Sequence, residues 1–163
     1  MQAEIIDQTI AAWTAEPDQA RSTPSVTARS ENGQAAVTAG PFTWRTDLPT
    51  SLGGTNQAPS PTALLLSALA GCAVVLVQDI LAPQLGIRVE AIEATARCHA
   101  DGRGLLGIDG AEPDFADITL EVVVRSPDGE SAVAEIARAW EERCPIYLAL
   151  QKPNDVAVHF QSA

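Results

Sequence analysis

The run TALLLSALAGCAVVLVQDILA, residues 62–82, limits what this chain can fold into more than any other feature. It follows Ser60-Pro61, a preferred N-cap and a preferred first helical residue. It is apolar on every face through Val77. A helix apolar all round is either a membrane span or a fully buried helix. Residues 62–77 number 16, short of the roughly 20 that a bilayer core needs. The small residues Ala63, Ser67, Ala70, Gly71 and Ala73 interrupt its bulk. The expectation is therefore a buried central helix, terminated by Pro83 and Gly86. A chain of 163 residues has difficulty covering every face of one helix. Sheets wrapped around it, with help from a second copy of the chain, would do so.

The flanking sequence supplies those sheets. Ile5, Ile6, Ile10 and Trp13 follow helical spacing, so residues 2–14 read as a short amphipathic helix ended at Glu16-Pro17-Asp18. Three β-like pieces follow, at 25–30, 34–39 and 41–45. Asn32-Gly33 is a hairpin signal, because both residues tolerate positive φ. Residues 46–61 form a turn-rich loop long enough to be functional. Residues 87–97 read as a strand with a shift of apolar phase near Ala91-Ile92, and 98–115 as a second loop. Ile118, Leu120, Val122 and Val124 alternate with polar residues as a strand does. Val133, Ile136, Ala137, Trp140, Cys144 and Tyr147 follow a helical stripe, which Pro145 should break. Val156, Val158 and Phe160 suggest a final strand. The order αβββ–α–ββ–αα–β is that of an α+β domain, expected to be a single one over 1–163 with residues 1–18 as a helical extension.

Composition excludes several function classes. Hydrophobic residues make up 46% and charged residues 19%, so the chain is globular rather than disordered. A net charge of −11 repels phosphate backbones and anionic lipid heads, and no basic cluster interrupts it. Neither nucleic acid nor membrane is an expected partner. The N-terminus carries acids where a signal peptide would carry Lys or Arg, so the chain reads as cytoplasmic. Three cysteines, Cys72, Cys98 and Cys144, make no disulfide framework; in a reducing compartment a pair of them reads as catalytic or redox-active. None of them, nor His99 or His159, shows paired ligand spacing, so no metal and no cofactor is expected. There is no G-x-S-x-G elbow and no phosphate-binding loop.

Among the cysteines, Cys72 lies in the middle of the apolar helix, where a free thiol can be a small buried hydrophobe. If Pro145 starts a new helix, Cys144 becomes its N-cap, and both the helix N-terminus and Arg143 would lower its thiol pKa, with Glu141 and Glu142 acting against them. Cys98 has no such context and is expected to be dispensable.

The segment DLPTSLGGTNQAPSPTALLLSALAGC, 47–72, resembles the approach to the first cysteine in the OsmC/Ohr family of osmotically inducible and organic-hydroperoxide-resistance proteins. WEERCPIYLAL, 140–150, resembles that family's second-cysteine motif, and the element order fits as well. The resemblance implies an OsmC-like fold, with antiparallel sheets around a central helix in an intertwined homodimer. It implies a thiol-dependent peroxidase that acts on organic hydroperoxides. Cys72 would be oxidised to a sulfenic acid, Cys144 would resolve it as a disulfide, and a dithiol reductant would reopen the bond. It also implies an arginine from the N-terminal strands; Arg29 occupies the corresponding place, with Arg21 and Arg45 as alternatives. Where the family's peroxidases carry a glutamate, ten residues before the first cysteine, this chain has Thr62. Glu31 and Glu93 are the candidate substitutes. The alternative function is a non-catalytic small-ligand binder or thiol redox sensor on the same fold.

Overall fold

Asn32 and Gly33 both adopt positive φ, 53° and 80°, which turns the chain tightly enough to join β1 (Thr27–Glu31) to β2 (Gln34–Ala39) as an antiparallel hairpin. Gly40, at φ 55°, begins the next turn, into β3 (Phe42–Thr46). The three strands form one sheet in the order β1-β2-β3, with Thr27 opposite Thr38 and Val37 opposite Trp44. The structure, a computed structural model, describes residues 2–152 and 154–162. It divides into two compact units, 1–70 with 96–120 and 71–95 with 121–163.

In the first unit, α1 (Gln2–Ala15) forms as its apolar spacing predicts, yet it buries no residue. Behind β3 the loop is organised by Asp47, only 5% exposed. Its carboxylate accepts the backbone N–H groups of Leu48, Thr55 and Gln57, the Thr55 hydroxyl and the Gln34 side-chain amide. Gly54 closes against the same turn, where a Cβ would lie 2.0 Å from the Leu48 carbonyl oxygen. These donors, the Thr55 hydroxyl foremost, hold the Asp47 carboxyl well below the usual carboxylate range. A depressed folded pKa stabilises fully above the unfolded value, about 4, and the stabilisation is lost as pH falls toward the folded value. Asp47→Asn should therefore lower the melting temperature at pH 7 by roughly 5 °C. The gap between variant and wild type should narrow below pH 3 or so; calorimetry across that range checks it.

The long helix, of which residues 71–85 belong to the second unit, follows a different course from the one expected. Pro61–Leu85 is continuous over 25 residues. It runs as α2 (Pro61–Leu76), a π turn at Val77–Leu81 and α3 (Ala82–Leu85). Pro83 does not end it. Proline cannot donate to the carbonyl four residues back and crowds it; the wide turn just before it, closed by the Ala82 N–H on the Val77 carbonyl, lets the helix pass. Gly86, at φ 67°, makes the actual stop. By length and composition alone the continuous helix could cross a membrane, which the 16 residues of 62–77 could not. Nor is it buried on every face: only 22% of its most apolar window is buried, and Val75 is 55% exposed. The buried residues are Leu69, Ala73, Val77 and Leu81, one row at a spacing of four, with Ala82 beside the last of them, so the helix is buried along one stripe. In the second unit Ala73, Val77 and Leu81 share the core with Ile136, Ala139 and Trp140 of α5 (Glu130–Arg143).

Three further expectations change. The strand after the helix, β4, is Ala91–Ala100, so it starts later than residue 87 and takes in Cys98, which is half-buried there and not in a loop. The following segment contains a helical turn, α4 (Gly102–Leu105), capped by the Asp101 side chain, before β5 (Phe115–Arg125), β4's partner in a two-stranded sheet. Residues 156–160 form no strand: Val156 and Val158 are exposed and Phe160 is 97% exposed. Alternation specifies a strand only where an edge is available to pair with it.

Candidate functional site

The two cysteines singled out by the sequence come together. α5 ends at Arg143, and α6 (Pro145–Gln151) begins immediately, with Pro145 in its first turn. Between them Cys144 has an extended backbone (φ −69°, ψ 110°) and serves as C-cap of one helix and N-cap of the other. Its N–H donates to the Trp140 carbonyl at 2.8 Å, and its sulfur accepts the Tyr147 N–H at 3.4 Å. This is the N-cap geometry expected from Cys-Pro, with sulfur in place of the usual hydroxyl. The trigger was the proline, which cannot continue a helix but starts one well.

Cys72, in α2, faces this cap. The Cys144 thiol donates to the Cys72 sulfur at 3.1 Å, although 72 residues separate them. Both thiols are free. A disulfide measures about 2.05 Å, so closure needs only about 1 Å of approach. The two sulfurs differ in access: Cys144 is fully buried, at 0% exposure, whereas Cys72 is half-buried. Of the two, Cys72 is the residue open to solvent. The Cys72 thiol is pushed up to about 11, by burial first and then by the hydrogen bond and charge of Cys144; the Ile146 N–H works in the opposite direction. Around the pair, the rings of Trp140 and Tyr147 lie 5.1 Å apart at 40°. Arg143 directs its guanidinium to the Gln84 side-chain oxygen at 2.9 Å.

The candidate arginines belong to the first unit. Arg29 stands in β1 opposite Ala36 and, with Ser30, Gln34, Asp47 and Leu48, lines a cavity of about 500 Å³. Arg45 pairs with Glu31 at 2.6 Å, so the candidate substitute carboxylate is held by Arg45. Arg21 pairs with Asp18 at 2.8 Å on the surface. Glu93 is an exposed residue of β4. Thr62 occupies the first turn of α2. Among the described residues no group of His, Cys, Asp and Glu side chains is gathered as a metal site would require. Sequence reasoning missed Asp47, because nothing in a lone aspartate reveals that five donors will converge on it. It also missed Gln84, which the π turn brings into play.

The family model described as OsmC-like protein matches residues 54–159. Among curated proteins no relative matches. Among solved structures, an OsmC-like protein from Mycoplasma pneumoniae superposes with a TM-score of 0.67 at 22% identity, covering 80% of this chain and 88% of that one. An organic hydroperoxide resistance protein from Legionella pneumophila gives 0.57 at 19%, with 80% and 90% covered. The organic hydroperoxide resistance protein OhrB of Bacillus subtilis gives 0.51 at 23%, with 80% and 91% covered. At these identities the structural likeness is one of fold.

Proposed function

The chain belongs to the OsmC-like protein family, and from that premise we propose that it is a cysteine-based reductase of organic hydroperoxides with Cys72 and Cys144 as its redox pair. The observation that carries this reading is the 3.1 Å approach of an accessible thiol to a buried one. Cys72, as thiolate, attacks the terminal oxygen of the hydroperoxide; the S–O bond forms, the O–O bond breaks, and the alkoxide leaves as the alcohol after taking a proton. Cys144 then attacks the sulfenic sulfur, releasing water and forming the disulfide. A dithiol reduces that bond by exchange and is itself oxidised to a disulfide. Proximity favours the second step, since the resolving sulfur is already in contact.

The first step needs a thiolate, and burial and Cys144 both oppose it. A cation at Cys72 would reverse that balance, and Arg29 is the residue proposed for the role, following the family resemblance. The protein is proposed to act in the cytoplasm as a homodimer of one OsmC-like domain per chain, without cofactor, the second copy covering the apolar helix face that includes Val75. The family is one of soluble proteins.

Turnover tests this reading. Reduced protein with a dithiol and an alkyl hydroperoxide should consume the peroxide catalytically, and Arg29→Ala should slow consumption by about 100-fold while leaving disulfide reduction by the dithiol unchanged. A second reading, a thiol redox sensor or small-ligand binder, draws support from the raised Cys72 pKa and from Thr62 in place of a carboxylate. It predicts no turnover at all.

A further inference from the structure

The two thiols are not the only contact between their elements. Cys72 and Gln84 lie on one continuous helix, and Arg143 and Cys144 are neighbours at one helix junction. Each element thus carries two groups, and they meet as two pairs: sulfur to sulfur at 3.1 Å, and the Arg143 Nη1 to the Gln84 Oε1 at 2.9 Å. The π turn makes this possible. Gln84 follows Cys72 by twelve residues; at about 100° per residue an unbroken α-helix would set it roughly 120° away around the axis. A π turn absorbs one extra residue and reduces that offset to roughly 20°. The wide turn at Val77–Leu81, between the two residues, therefore returns Gln84 to the face that carries Cys72. Arg143 reaches back along that face.

We propose that Gln84 and Arg143 are positioning residues, whose hydrogen bond fixes the α5–α6 junction on the helix and so holds Cys144 in register for bonding to Cys72. The proposal rests on reading the two cysteines as a redox pair. The tether acts where two helices join: the backbone at Cys144 is extended, and Pro145 has no N–H to carry the α5 hydrogen-bond ladder across the junction. A donor fork on Arg143 and a fixed acceptor on Gln84 restrict the hinge to orientations in which the sulfurs face each other. Weakening the tether lowers the effective concentration of one thiol at the other without removing either.

The test is the disulfide equilibrium in mixtures of reduced and oxidised dithiothreitol, free of peroxide. There the reagent's disulfide gains two hydrogens as Cys72 and Cys144 lose them to form their bond. Gln84→Ala and Arg143→Ala should each lower the equilibrium constant for Cys72–Cys144 formation by five- to tenfold, an estimate of lost effective concentration of about that size. Gln84→Glu, which still accepts from Arg143, should stay within about twofold of wild type, a rescue that a packing role for Gln84 does not predict. Gln84→Ala within about twofold of wild type, in protein folded by circular dichroism, overturns the proposal. If the alanine variants do not fold, Arg143→Lys decides: a value about threefold below wild type supports the tether, and an unchanged one overturns it. A wild type that forms the disulfide in this buffer but ignores hydroperoxides removes the peroxidase reading and leaves the tether tested. A wild type that never joins Cys72 to Cys144 overturns both.

Discussion

Cys72→Ser should abolish hydroperoxide consumption, by about a thousandfold or more, whereas Cys144→Ser should leave a first oxidation that stops at the sulfenic acid. The asymmetry follows from access. Cys144 is fully buried, so without Cys72 no thiol of the pair meets the substrate. With Cys72 intact and Cys144 absent, the sulfenic acid has no adjacent thiol to condense with, and excess peroxide drives it to the irreversible sulfinic acid. In wild type the sulfur at 3.1 Å should prevent this. The measurement is peroxide consumption for the first variant and intact mass for the second, which should gain about 32 Da under excess peroxide. Cys98→Ser should resemble wild type in both. Equal losses in Cys98→Ser and Cys72→Ser would contradict the assignment of the pair.

Leu81→Ala should cost about 3 kcal/mol of stability, within the usual range of about 2–5 for a buried leucine. Leu81 is 0% exposed, sits in the π turn and is one of the largest fully buried side chains, together with Ile136 on α5. The truncation removes apolar burial and leaves a void beneath a turn that cannot collapse, since the Ala82–Val77 hydrogen bond and Pro83 fix its course. Against a typical total of about 5–15 kcal/mol this is a large fraction. Urea unfolding at constant slope measures it. A loss below about 1 kcal/mol would mean that the site relaxes and that the π turn is not held by packing against α5.

The sequence made the hairpin legible because Asn32-Gly33 is a chemical requirement of the turn and not merely a statistical preference. Cys144 as an N-cap was legible for the same reason: Pro145 leaves few backbone alternatives. The pairing of Cys72 with Cys144 was legible only through family resemblance, since nothing local links residues 72 positions apart. Three features were out of reach. The π turn depends on how Pro83 is accommodated within a packed helix, which composition cannot reveal. The Asp47 network depends on where Gln34, Thr55 and Gln57 return in space. The alternation at 156–160 was real, but a strand also needs an edge, and these residues lie exposed and unassigned to any sheet. Arg29 has its strand, register and cavity defined by the first unit.

An organic hydroperoxide should oxidise Cys72 and Cys144 to a bond with each other. Peptide mass spectrometry of fully reduced protein, treated briefly with one equivalent of an alkyl hydroperoxide and then blocked with an alkylating agent, tests it most directly. One product is expected: a peptide carrying Cys72 joined to a peptide carrying Cys144, lighter by about 2 Da than the reduced pair, with Cys98 alkylated, and only the Cys72 and Cys144 thiols recovered after a dithiol. Three alkylated cysteines with the peroxide unspent, or a bond that joins Cys98 to either partner, would contradict it.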